Sequence, residues 1–217
     1  MKSLKESMLL YAVTDRTWTS RQSLIKQVEE ALKGGITFLQ LREKELDYES
    51  FFKEAMEIKL LCNRHQIPFV INDNIEIAIA CDADGVHVGQ SDLQAGKARL
   101  KLGPNKILGV SVQTPAQAIL AEEQGADYLG VGAVFTTTTK ADADTVSLKT
   151  LKEICNAVTI PVIAIGGIDA HNVLELSGSN IDGIAVVSAI FAQGDIKKAT
   201  ETLLQLTDRM VKGDRRC

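Results

Sequence analysis

The sequence predicts an α/β fold, a single (β/α)8 TIM barrel over residues 1–217, and three observations predict it. Apolar runs of strand length recur eight times, stretches of helical period separate them, and no proline- or glycine-rich linker breaks the series. Eight units in 217 residues leave about 27 residues each, near the compact limit of this architecture. An open doubly wound sheet also alternates strand and helix, but eight equal units without a long insertion favour closure.

The first strand, residues 8–15, contains Leu9-Leu10-Tyr11-Ala12-Val13, apolar throughout as a parallel strand covered on both faces has to be. Leu24, Val28, Ala31 and Leu32 then share one helical face, and Gly34-Gly35 stand where that helix should end. Residues 37–44 form the second strand, followed by a helix whose apolar face is Phe51, Ala55, Ile58 and Cys62. Strands three and four are expected at 68–73 and 85–89. Gly103 and Gly125 mark helix ends just before strands at 106–112 and 128–134. Strands at 161–168 and 183–190 complete the set, and Ala199, Leu203, Leu206 and Met210 line the last helix.

Charged residues make up 24% of the chain and the net charge is −4, which gives no electrostatic reason to expect nucleic acid or anionic membrane as a partner. An anionic ligand therefore needs a local cationic pocket. Cys62, Cys81, Cys155 and Cys217 form no CxxC pair and no disulfide-like spacing, as expected of reduced thiols in a cytoplasmic protein. No run reaches the ~18 apolar residues of a membrane span, and the N-terminus leads into a strand rather than a signal-peptide core.

In a TIM barrel the chemistry sits at the C-terminal ends of the strands. In strand two, Gln40, Arg42 and Lys44 alternate with Leu39 and Leu41, so the polar face points into the barrel and its mouth. Buried cations are costly unless paired, so function explains them better than a solvated face does. Asp73 ends strand three and Asp92 follows strand four through His87-Val88-Gly89-Gln90-Ser91. Each aspartate alone reads as a helix N-cap. Together, beside Arg42 and Lys44, they suggest Mg²⁺ with a polyphosphate, since Mg²⁺ takes one or two carboxylates plus phosphate oxygens. The loop after strand six carries Thr136-Thr137-Thr138-Thr139-Lys140, which suits a lid over anionic oxygens. Gly166-Gly167 and Val187-Ser188 end strands seven and eight, where barrels bind phosphate through backbone N–H groups, and Ser111 ends strand five as a further donor. His65 and His171 read as solvated, and His87 as a hydrogen-bonded core residue.

These motifs, with Ile71-Asn72-Asp73 and Gly109-Val110-Ser111, resemble the successive motifs of the thiamine-phosphate synthase family in order and spacing, over nearly the whole chain. The resemblance implies that Gln40 binds an aminopyrimidine and that Arg42, Lys44, Asn72, Ser111 and Lys140 meet its diphosphate, with Arg42, Lys44, Lys140 and Ser111 catalytic. Asp73 and Asp92 would hold Mg²⁺, and Thr137, Thr139, Gly167, Val187 and Ser188 would meet a thiazole phosphate. It implies two small-molecule substrates and diphosphate release; a homodimer is a further expectation, since compact barrels often pair. The chain departs from the family in having Ala133 and Thr136 at positions where relatives often carry Pro, and Gln113 where many carry His. A thiazole tautomerase of the same superfamily is the nearest rival, but such relatives have typically lost parts of the diphosphate and metal set that Asp92 and Lys140 retain here. A non-catalytic sensor of thiazole or thiamine phosphate and a phosphosugar isomerase would also suit the same barrel.

Overall fold

The computed structural model describes residues 3–89, 95–136 and 145–214. Eight parallel strands close into a barrel in sequence order: β1 (Leu10–Val13), β2 (Phe38–Leu41), β3 (Phe69–Asn72), β4 (Gly85–Val88), β5 (Ile107–Val112), β6 (Tyr128–Gly132), β7 (Val162–Ile165) and β8 (Gly183–Val186), with β8 returning to pair with β1. Helices α1 (Leu4–Ser7), α2 (Leu24–Gly34), α3 (Tyr48–His65), α4 (Ile75–Ala80), α5 (Ala95–Leu102), α6 (Pro115–Glu123), α7 (Leu148–Ala157), α8 (Ser188–Phe191) and α9 (Ile196–Asp214) accompany them. Between β7 and β8 the expected helix is reduced to one 3₁₀ turn, Val173–Leu176, because Ser177-Gly178-Ser179-Asn180 supplies turn residues at once.

The alternation of strand side chains divides the apolar residues into two cores. Leu10, Ala12, Leu39, Leu41, Phe69 and Ile71 face outward and meet the buried stripes of the helices, including Val28, Ala31, Ile58 and Cys62. Met8, Tyr11, Val13, Phe38, Val70, Tyr128, Ile163 and Ala185 form a separate inner core. Leu4 of α1 packs against that inner core just before β1 begins, so the short helix covers the N-terminal end of the barrel.

Several strands end earlier than the sequence pattern predicts. β2 stops at Leu41 rather than at residue 44, because side chains there take over the backbone groups that a strand would pair. The Arg42 N–H donates to Thr14 Oγ1 at 2.9 Å. The N–H groups of Lys44, Glu45 and Leu46 donate to one oxygen of Glu43 at 2.7, 2.7 and 3.2 Å. β6, β7 and β8 likewise end at Gly132, Ile165 and Val186.

The barrel interior is filled by aromatic rings. Tyr11, Phe38 and Tyr128 lie with centroids 4.5–5.9 Å apart, and the His87 ring is 5.5 Å from that of Tyr128. Gly109 on β5 and Gly130 on β6 leave the space that the Tyr128 and His87 rings occupy. A Cβ at Gly109 would collide with the Tyr128 ring and come within 2.5 Å of His87 Nδ1, and one at Gly130 would sit 3.1 Å from His87 Cε1. Both tyrosines are fully buried, where truncating an aromatic costs ~3–5 kcal/mol.

Candidate functional site at the strand ends

Register brings the predicted residues to one end of the barrel. Val13 pairs with Gln40 and Gln40 with Val70, so Asp15, Arg42 and Asn72 each lie two residues beyond a registered row. Ile165 pairs with Ala185, which puts Gly167 and Val187 at matching positions past β7 and β8. Asn72 is in register with His87, His87 with Gly109, and Ser111 with Gly130.

Arg42 does not stand alone. Its Nη1 donates to Asp15 Oδ2 at 3.1 Å, while Asp15 Oδ1 accepts from the Thr17 N–H and hydroxyl at 2.9 and 2.5 Å. The guanidinium is therefore aimed by a carboxylate that is itself fixed, with other N–H groups left for a ligand. Lys44 lies past the end of β2, on the exposed side of the turn that Glu43 organises, so strand alternation does not govern its direction. Glu43 itself is buried and pairs with Arg16, whose Nη2 also meets Glu54 Oε2 at 2.6 Å. Burial alone would raise the Glu43 carboxyl, but the Glu45 N–H and the Arg16 guanidinium outweigh it and hold the group below its ordinary range.

At β3 the helix-cap reading of Asp73 fails, because Asn74 caps α4: its side chain accepts from the Ile77 N–H at 2.9 Å. Asp73 instead adopts a left-handed backbone, φ 61°, with an exposed carboxylate. One oxygen accepts from Asn72 Nδ2 at 2.5 Å and the other from the Gly89 N–H at 3.3 Å. These are hard oxygens at a strand mouth, the donor chemistry that Mg²⁺ selects. Among the described residues no group of three or more His, Cys, Asp or Glu gathers, and Mg²⁺ bound with phosphate oxygens needs no such group. Asp92, Thr137, Thr139 and Lys140 lie outside the described residues.

Gln40 is buried, and its Nε2 donates to Tyr11 Oη at 2.8 Å. Tyr11 and Tyr128 share a hydrogen bond of 2.8 Å, Tyr128 Oη meets His87 Nδ1 at 3.0 Å, and His87 Nε2 meets Ser111 Oγ at 3.0 Å. His87 is thus a hydrogen-bonded interior residue, as expected. Burial pushes both phenols up, far beyond neutral pH, so they remain O–H groups. Past β7, Gly167 has φ +67° and its carbonyl accepts from Asn172 Nδ2 at 2.8 Å. Ser188, exposed, opens α8 directly after Val187. Gln113 reaches toward β6, its Nε2 3.5 Å from the Gly132 carbonyl.

Sequence reading passed over Thr14, Asp15, Arg16, Glu43, Tyr11 and Tyr128. Tyrosines within otherwise apolar strand runs were the available signal for the last two, and Tyr128 has Gly109 in register beside it.

A sequence model of the family described as thiamine monophosphate synthase matches residues 10–190. A thiamine-phosphate synthase from Clostridium tetani is 50% identical over 194 residues, 89% of this chain and 93% of its own length. The enzyme of the same name from Ruminiclostridium cellulolyticum is 50% identical over 206 residues, 95% of this chain and 98% of its own. Among solved structures, a thiamine phosphate pyrophosphorylase from Pyrococcus furiosus superposes with a TM-score of 0.89 at 37% identity, covering 96% of this chain and all of that one.

Proposed function

The chain belongs to the thiamine monophosphate synthase family, and we infer from that premise that it joins 4-amino-2-methyl-5-hydroxymethylpyrimidine diphosphate to 4-methyl-5-(2-phosphoethyl)thiazole, giving thiamine phosphate and diphosphate. The observation that carries the reading is the mouth itself: Gln40, Arg42, Asn72, Asp73 and Ser111 leave β2, β3 and β5 at one end of a closed barrel, with Arg42 already aimed by Asp15. A buried amide beside a cation and hydroxyl and carboxylate oxygens is the donor set that an uncharged ring carrying a polyanion calls for.

In the reaction the bond between the pyrimidine's methylene carbon and the diphosphate oxygen breaks, with its electron pair leaving on diphosphate. The resulting cation is stabilised by the ring's 4-amino group, and the thiazole nitrogen lone pair then forms the new carbon–nitrogen bond. No general base is required, so the protein's tasks are to neutralise the leaving group, align two partners and exclude water. Arg42, Lys44, Asn72, Ser111 and Lys140 hold the diphosphate, and Gln40 orients the pyrimidine. Gly167, Val187 and Ser188, with Thr137 and Thr139, receive the thiazole phosphate, where glycine backbone permits close approach. Asp73 and Asp92 would hold Mg²⁺, which supplies positive charge to the departing diphosphate when bound. No described helix is long and apolar enough to cross a membrane, and Cys62, Cys81 and Cys155 are free thiols, which supports a cytoplasmic setting.

The test is incubation of the purified protein with both substrates and Mg²⁺, with and without EDTA. Thiamine phosphate and diphosphate formed in equal amounts, and abolished by EDTA, are the expected result. No product from folded protein would overturn the assignment in favour of the tautomerase or the sensor.

A further inference from the structure

The hydrogen bonds inside the barrel form one unbroken path from Gln40 to Ser111, through three residues that the reaction scheme does not use. Each phenol has two partners: Tyr11 meets Gln40 and Tyr128, and Tyr128 meets Tyr11 and His87. Both are fully buried neutral O–H groups with one hydrogen each, so each donates one bond and accepts the other. Since Gln40 Nε2 can only donate, Tyr11 accepts there and must donate to Tyr128. Tyr128 then donates to His87 Nδ1. A neutral imidazole with Nδ1 as acceptor carries its proton on Nε2, which donates to Ser111 Oγ. One amide orientation at the start thus dictates every hydrogen along the path.

We propose that Tyr11, Tyr128 and His87 are positioning residues, a one-directional hydrogen-bond relay that keeps the Gln40 carbonyl oxygen for the pyrimidine's 4-amino group and turns the Ser111 hydroxyl hydrogen off the histidine ring toward the diphosphate. The proposal rests on the assignment of Gln40 and Ser111 to the two ends of the pyrimidine substrate. The Gln40 Nε2 is held by a phenol that lies between aromatic rings packed at 4.5–5.9 Å, so rotating the amide would set its carbonyl oxygen against an accepting phenol oxygen, and recovering that bond would require every hydrogen of the path and the His87 tautomer to reverse together. A 4-amino group gains positive charge as the diphosphate departs, and an oxygen acceptor held beside it strengthens its bond at that moment. An amide free to turn would present N–H to N–H for part of the time. The relay therefore acts on selection between amino and oxo pyrimidines as well as on rate.

The experiment compares Tyr11→Phe, Gln40→Leu and the double variant, reading kcat/KM for the pyrimidine diphosphate and the ratio of its affinity to that of the 4-oxo analogue. Tyr11→Phe keeps the ring and removes the hydroxyl that joins Gln40 to Tyr128. It is expected to lower kcat/KM and the amino-to-oxo ratio each by about tenfold, the size of one buried hydrogen bond, with KM for the thiazole phosphate unchanged. In the Gln40→Leu background Tyr11→Phe is expected to add little to either loss, because the amide that the relay orients is already gone. Tyr128→Phe, which also releases the His87 tautomer that holds Ser111, is expected to exceed Tyr11→Phe, and it serves as the second probe if Tyr11→Phe folds poorly. An unchanged amino-to-oxo ratio in both phenylalanine variants, or losses that multiply in the double variant, would overturn the relay while leaving the site assignment in place. A harmless Gln40→Leu would overturn both.

Discussion

Glu43 is buried to 1% of its side-chain surface at the turn that follows β2, and replacing it shows how much that turn depends on one carboxylate. One oxygen accepts three consecutive backbone N–H groups and the other pairs with Arg16. Lys44 and Glu45 are exposed, so in Glu43→Ala water reaches most of the released N–H groups, and each lost bond costs ~0.5–1 kcal/mol. Arg16 is 27% exposed and keeps Glu54 at 2.6 Å, so losing its buried partner costs less than the ~3–5 kcal/mol of a fully orphaned charge. The sum, discounted for shared partners, is about 3 kcal/mol for Glu43→Ala, and ~1–1.5 kcal/mol for Glu43→Gln, which keeps an acceptor and loses the charge. Urea unfolding followed by far-UV circular dichroism and by fluorescence of Trp18, the single tryptophan and a neighbour of Arg16 in sequence, measures this directly. The pH dependence has a definite sign. The carboxyl lies below its ordinary 4.5 in the folded chain, so its contribution is full above that value and is lost as pH falls through the folded one. The stability gap between wild type and Glu43→Gln should therefore close in acid. Midpoints within ~0.5 kcal/mol of wild type for both variants at neutral pH would refute the reasoning.

Asp73→Ala and Lys140→Ala should each lower turnover at least about tenfold, roughly 1.4 kcal/mol of transition-state stabilisation, and Asp73→Ala should also raise the Mg²⁺ concentration for half-activity. Steady-state rates across a Mg²⁺ titration check this; near-normal turnover in both would sink the site assignment. Gly167→Ala places a methyl group 2.5 Å from the Thr136 carbonyl oxygen at φ +67°, and should cost ~1–2 kcal/mol of stability. It should raise KM for the thiazole phosphate severalfold and leave that for the pyrimidine diphosphate unchanged, as two-substrate kinetics would read.

The barrel was legible because each strand is covered on both faces and so is written in uninterrupted apolar runs, as at Leu9-Leu10-Tyr11-Ala12-Val13. Alternation placed Gln40 inward correctly, with its amide among the inner rings. The same alternation carried to Lys44 ran past the real strand end, since a hydrophobic pattern does not record where Thr14 and Glu43 capture the backbone. Asp73 was ambiguous in sequence because a cap and a metal ligand use the same side chain, and only the position of Asn74 separates them. Glu43 and Asp15 were invisible for a related reason: they act on backbone groups and on a side chain past the neighbouring strand, and neither contact has a fixed spacing.

The space that Gly109 gives up to the Tyr128 ring ties the two positions into a single hereditary unit. Any side chain at 109 displaces the phenol, and any smaller residue at 128 leaves a hole in the barrel's centre, so neither position can drift by itself. Exchange would have to happen at both together, and the new pair would lose the hydroxyl that joins Tyr11 to His87. Descendants of this sequence are thus free to vary the mouth loops while the middle of the barrel stays locked. A designer wanting a new substrate should leave β5 and β6 alone and work above them.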